Sequence, residues 1–135
     1  MNNITSQMAD TTDNAFVLWQ RAEAALVFLA GVGLFWMLGG GLAWWAAVLV
    51  FFAPDLSFAA YGLGPRVGGV AYNLVHLYGL GLIVLAAGLL LSLPLLAGFG
   101  ALWLAHAGFD RAFGYGLKSP EGFSRTHLGR IGRHA

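Results

Sequence analysis

The chain has no cysteine, little charge and none of the compact catalytic fingerprints, and each absence removes a class of function. Without cysteine there is no disulfide, no thiolate metal site and no cysteine nucleophile. Only 10% of the residues are charged, against about 25% in ordinary soluble domains. The net charge of +1 gives no reason to expect nucleic acid as a partner. There is no HExxH, no EF-hand loop and no nucleotide-binding glycine fingerprint. The opening residues, 1–14, are polar and lack the basic stretch of a signal peptide. They read as a disordered leader preceding a retained membrane span.

What is present is apolar. Hydrophobic residues make up 59% of the 135 positions, more than a water-soluble fold of this length can hide. Four apolar runs fill residues 15–115: Ala15–Leu38, Leu42–Tyr61, Gly69–Leu91 and Leu95–Tyr115. Each approaches the ~20 residues that a helix needs to cross a bilayer, and helices are the economical way to close backbone hydrogen bonds in lipid. The expected fold is all-α: an integral membrane bundle of four transmembrane helices, followed by a basic tail over residues 116–135.

Charge placement orients the bundle. The connections Gly39-Gly40-Gly41 and Ser92-Leu93-Pro94 carry no charge. Arg21, Arg66, Arg111, Lys118, Arg125, Arg130 and Arg133 all fall at the other end once the helices alternate. The positive-inside rule puts that end, with both termini, in the cytoplasm. The inner membrane of a bacterium is the expected location and the lipid bilayer the expected partner. Ala97, Ala101 and Ala105 make a small-residue stripe that suits close helix packing, in this bundle or in a homo-oligomer. Trp103 lies deep and is expected to pack inside the bundle.

The polar residues inside the spans gather at the same end. Glu23, Asp55, Asn73, His76, His106 and Asp110 come from all four runs. With a rise of about 1.5 Å per residue, His76 and His106 lie roughly 10 and 13 Å in from the charged end. His106 and Asp110 are four apart and share a helix face, as do Asn73 and His76 at a spacing of three. Ionisable groups are costly in lipid, so such a cluster marks a site by default. Imidazole and carboxylate suit zinc or iron, and His76, His106 and Asp110 are the candidate ligands of a divalent metal. Glu23 or Asp55 is the candidate general base. Arg66, Arg111, Tyr115, Lys118 and His127 surround the cluster as candidate substrate contacts. The basic tail either lies on anionic lipid or folds Arg125 and His127 back over the site. Taken singly, the charges also pair plausibly as scaffolding, Asp110 with Arg111 or Arg66 and Glu23 with Arg21.

Particular motifs carry a resemblance. Ala53-Pro54-Asp55-Leu56-Ser57, Gly62, Gly64-Pro65-Arg66-Val67-Gly68, Tyr72-Asn73 and His76 form one set. The stretch from Trp103 to Pro120 and the segment Phe123–Gly129 form another. Together they resemble a bacterial membrane-protein family called domain of unknown function 4260, over about residues 18–131. Arg21 and Glu23 are similar to that family's opening Arg-Leu-Glu pattern, with Ala22 in place of the leucine. The resemblance implies a small multi-span membrane protein and supplies no reaction. Three functions are compatible with the residues: a metal-assisted hydrolase acting on an amphiphile, a proton- or cation-coupled binding or transport module, and a structural membrane subunit.

Overall fold

Small residues pack this molecule inside and large apolar ones cover its outside. In the computed structural model, which describes residues 2–39 and 41–131, the buried apolar set is mostly alanine, with Ala24, Ala97, Ala101, Ala105 and Ala107 nearly inaccessible. Trp19, Trp36, Trp44, Met37 and Leu90 stand exposed. Among the described residues, the buried charged or titratable side chains include His76, His106 and Lys118. In water this arrangement would be unfavourable, since contiguous apolar surface of this extent marks a membrane or partner face. Two helical stretches, Asp13–Leu38 and Trp44–Leu63, are long and apolar enough to cross a membrane, and a bent pair makes a third.

Among the described residues, five α-helices follow in order: α1 (Asn2–Leu38), α2 (Trp44–Phe52), α3 (Pro65–Val75), α4 (Tyr78–Leu90) and α5 (Pro94–Ala112). Helix α1 begins at Asn2, so residues 2–14, expected as a disordered leader, continue the helix. No glycine or proline interrupts them, which leaves nothing to end the helix there. Gly40 of the first uncharged connection and Arg133 of the tail lie outside the described residues.

The second span changes character half-way. Helix α2 runs into an 11-residue 3₁₀ helix, Ala53–Leu63, far longer than the usual three or four residues. The switch is local: the Ala53 N–H already reaches back only to Val50 O, and Pro54 has no N–H with which to resume the wider pattern. Residues three apart eclipse in a 3₁₀ helix, so Asp55, Phe58 and Tyr61 share one face. Gly64 then turns the chain at φ 108°, a conformation that glycine adopts without strain.

The third span is broken. Helices α3 and α4 meet at a 42° bend, with His76 at φ −102°, ψ 10° closing α3. The break frees backbone carbonyls, and α5 supplies their partners. Trp103 Nε1 donates to Val75 O at 2.5 Å and Arg111 Nη2 to His76 O at 3.2 Å. A broken helix is tolerated at membrane depth where such replacements exist.

Helix α5 is the central element. Gly100 lies against the backbone of Leu85, Gly88 against Ala97 and Gly81 against Leu104, so α4 and α5 touch nearly backbone to backbone. On the other side Gly31 of α1 meets Ala101 and Ala105, and Gly108 meets Ala24 and Phe28. The alanine stripe therefore packs within this chain. Arg21 Nε closes the charged end by donating to Ala112 O at 2.8 Å.

The tail is folded, in departure from the all-α expectation. Strands β1 (Lys118–Ser119), β2 (Gly122–Thr126) and β3 (Gly129–Arg130) form an antiparallel sheet in the order β1-β2-β3. Its first strand docks on α3, where Ser119 O faces Gly69. Asn73 clamps it: Nδ2 donates to Lys118 O at 2.8 Å and Oδ1 accepts from Lys118 N at 2.6 Å.

Candidate metal centre

Four side chains from three elements meet at the end of the bundle that carries the charges. The 3₁₀ helix brings Asp55, the α3–α4 break brings His76, and α5 brings His106 and Asp110 one turn apart. One ligand atom from each lies within 4.8 Å of all the others. The two Nε2 atoms are 3.1 Å apart. Asp110 Oδ2 is 3.4 Å from His76 Nε2 and 3.8 Å from His106 Nε2. Asp55 Oδ1 is 3.6 and 3.5 Å from the same two nitrogens.

These separations decide what the cluster resembles. The four His–Asp distances exceed ordinary hydrogen bonds, which run to about 3.2 Å. Ligands 2.0–2.1 Å from a tetrahedral zinc stand roughly 3.3–3.4 Å apart, near the middle of the observed spread. The four His–Asp contacts are spaced to share a common cation, while the two Nε2 atoms at 3.1 Å are within hydrogen-bond reach of each other.

The supporting contacts point the same way. His76 Nδ1 lies 2.8 Å from Tyr72 O. That carbonyl only accepts, so the ring proton sits on Nδ1 and the Nε2 lone pair faces the centre. The Tyr72 hydroxyl donates to Asp110 Oδ2 at 2.9 Å. Its ring stacks on His76 at 3.7 Å between centroids. Tyr72 is 1% exposed, and it fixes two of the four groups at once. His106 is held by shape, edge-on to Phe51 and Phe52, and its Nδ1 is buried without a hydrogen-bond partner among the described residues. Asp55 is the accessible member, with a side chain 35% exposed against 14% for Asp110. The centre therefore opens on the Asp55 side.

The other expected site residues separate from this core. Asn73 turns from the centre and binds the tail. Glu23 is exposed: its neighbour Ala24 is the residue packed on Gly108 of α5, and one step along a helix rotates a side chain by about 100°. A six-residue cluster is thus a four-residue one. Arg111 caps the broken helix and covers the Tyr78 ring at 4.0 Å, so it neutralises backbone charge more than it lines an entrance. Arg66 and Tyr115 are exposed. His127 Nδ1 accepts from Leu117 N at 2.9 Å and pins the tail. Arg125 pairs with Glu121 at the surface, so neither it nor His127 folds over the centre. Lys118 and Phe123 occupy that place. Burial pushes the Lys118 pKa down, while the Asp110 carboxylate opposes the shift.

The comparison with known families decides what the chain is related to. It belongs to the family described as domain of unknown function DUF4260, which matches residues 17–131. No curated protein and no solved structure matches it. The DUF4260 match takes in all four converging residues together with Tyr72, Asn73 and Lys118, and the family's description names no chemistry. Sequence reasoning had passed over Tyr72 as a site residue. Its position four residues before His76 was the available signal, since that spacing places it over the same helix face.

Removing only the Tyr72 hydroxyl isolates its part in this DUF4260 centre. Tyr72→Phe is expected to lower divalent-metal affinity roughly 10–100-fold, the usual cost of losing an outer hydrogen bond to a ligand, with the fold retained. Competition against a chromophoric chelator measures it, and an unchanged affinity would show that the bond to Asp110 plays no part.

Proposed function

We propose that the chain is a metal-dependent membrane enzyme, hydrolase-like, acting on an amphiphilic substrate. The observation that carries this reading is the convergence of His76, His106 and Asp110 beside the accessible carboxylate of Asp55, with one atom from each within 4.8 Å of the others. Two carboxylates this close repel each other in a low-dielectric setting unless a cation compensates them. A divalent zinc or iron ion held there supplies Lewis-acid polarisation of a carbonyl or phosphoryl group and acidifies water. Tyr72 orients Asp110 and His76 for that binding. Asp55, the more accessible of the two carboxylates, is the group placed to take a proton from water as general base.

An apolar cleft supports the amphiphilic substrate. It has a volume of about 290 Å³ and is walled by Phe28, Val32, Val48, Phe51, Phe52 and Phe109. Two of those walls, Phe51 and Phe52, touch the His106 ring. An acyl chain lying in the cleft would bring the bond beside it to the centre.

The reading places four helical passes in the cytoplasmic membrane of a bacterium, with both termini inside. Support comes from the uncharged end that carries Trp36, Trp44 and Trp45, opposite the end that carries Arg21, Arg111 and the folded tail. Trp19 and Trp36 are 17 positions apart on α1, about 25 Å of helix, close to the hydrocarbon thickness that interfacial tryptophans bracket.

Elemental analysis of protein purified in detergent is expected to find about one divalent ion per chain, lost in His76→Ala and His106→Ala. Asp55→Asn is expected to keep the ion and lose turnover of a native lipid extract by roughly 10²–10⁴-fold, the range typical of a general base. Wild-type protein that takes up no metal when supplied with it sinks the enzyme reading and leaves a hydrogen-bonded scaffold.

Orientation is checked by impermeant thiol labelling in intact cells. A cysteine at Ser92 is expected to label and one at Glu121 to resist, and the reverse pattern would invert the topology.

A further inference from the structure

Beside the centre, on its Asp110 side, lies a group of buried donors with nothing to donate to. Lys118 is 4% exposed. Its Nζ lies 4.0 Å from the centre of the Phe123 ring and 5.0 Å from that of Tyr72, and it has no hydrogen-bond acceptor among the described residues. The Tyr61 hydroxyl is likewise buried and unpartnered, and the Tyr61 ring meets the same Phe123 from the other element at 5.5 Å. Ser57 Oγ of the same 3₁₀ helix is also buried without a partner among the described residues, on a different face from Tyr61. Burying a polar group without a partner costs free energy, and burying an ammonium costs far more.

The folding of the tail creates this situation. Asn73 fixes the Lys118 backbone from both sides, so the side chain is delivered inward instead of reaching for water as an exposed lysine would. The aromatic faces of Tyr72 and Phe123 stabilise its charge in part, but they accept none of its three N–H groups. Every unsatisfied group here, ammonium and hydroxyls alike, can donate. The missing component is an acceptor of negative charge with several oxygens.

We propose that Lys118, with Tyr61 packed on the same Phe123 ring, forms an anion subsite that holds a phosphate group of the substrate next to the His–Asp centre. This rests on the metal-enzyme reading above and names its substrate class: a phosphate-bearing amphiphile. Three ammonium N–H groups and one phenol suit the three outer oxygens of a terminal phosphate, whose charge of up to about −2 also offsets the buried ammonium better than a single carboxylate does. Tyr72 links the two halves, with its hydroxyl on Asp110 and its ring under the ammonium. The tail sheet is then a part of the binding site, while Arg125 pairs with Glu121 at the surface.

The test is phosphate binding to metal-loaded, detergent-purified protein, with metal content measured in the same samples. One arm titrates inorganic phosphate calorimetrically. The other compares capture on nanodiscs of phosphatidic acid with nanodiscs of phosphatidylcholine. Lys118→Met is expected to weaken binding roughly ten- to a hundredfold, as loss of a hydrogen bond to a charged group does. Lys118→Arg should recover part of it, Tyr61→Phe should weaken it several-fold, and none should change metal content. Lys118-dependent binding of inorganic phosphate supports the subsite with free phosphate as sufficient ligand. Lys118-dependent binding of phosphatidic acid alone supports it with the lipid headgroup as the source. Metal-loaded wild type that binds neither overturns the subsite and leaves the metal centre standing. Wild type that holds no metal removes both. If Lys118→Met fails to fold, Tyr61→Phe decides, and an unchanged phosphate affinity in that variant overturns the proposal.

Discussion

The break between α3 and α4 is what the remainder of the site depends on. A continuous helix through His76 would carry its ring past α5 along a straight axis, and its carbonyl would be spent inside the helix. Because the chain bends there, Val75 O and His76 O need partners, and they find them in Trp103 and Arg111. Those two bonds tie the broken span to α5 on either side of His106. They also make the bend a defined structure, because a carbonyl without a partner in an apolar setting costs several kcal/mol. The imidazole of His76 then turns back onto Tyr72 O and forward onto His106. The geometry of the centre follows from how the backbone of one span is satisfied by side chains of another.

The second constraint is close packing. Helices α1 and α4 approach α5 through glycine and alanine, with no room for a Cβ at Gly31, Gly81, Gly88 or Gly100. Such contacts hold helices together where burial of large side chains gains little, since lipid is as apolar as the helix surface. The polar groups are thus confined to one end of the bundle, and there the packing opens. The 3₁₀ segment after Pro54 narrows the second span and rotates Asp55, Phe58 and Tyr61 onto one face. The folded tail closes the side left open by the short α3. Apolar walls reach His106 from the cleft, donors reach Asp110 from the tail, and Asp55 faces the entrance between them.

Much of this was legible in the sequence. The apolar runs ended within a few residues of the observed helices, and the segregation of arginine and lysine foretold which end would carry the polar cluster. His106 and Asp110 could be paired from their spacing alone. Asp55 and His76 could be placed near them by counting residues inward along antiparallel spans. Other features left no mark. No proline or glycine stands at the break itself, so His76 looked like an interior residue of a straight helix. Counting residues gives depth and not rotation, which is why Glu23 and Asn73 were grouped with the centre although one faces out and the other faces the tail. Strands of two residues have no periodicity to detect, so the tail read only as a basic segment, lying on lipid or folded back over the site. Lys118 was singled out as a substrate contact, yet its burial depends on Asn73 gripping its backbone, a contact 45 residues apart in the chain.

The central claim is that His76, His106 and Asp110 hold one ion beside Asp55. X-ray absorption at the edge of the metal bound to the purified protein tests it most directly. The account predicts about four nitrogen and oxygen neighbours at roughly 2.0–2.1 Å, with outer-shell scattering from two imidazole rings that falls to one ring in His106→Ala. A shell without imidazole scattering, or a spectrum unchanged by that substitution, would place the ion elsewhere and contradict the account.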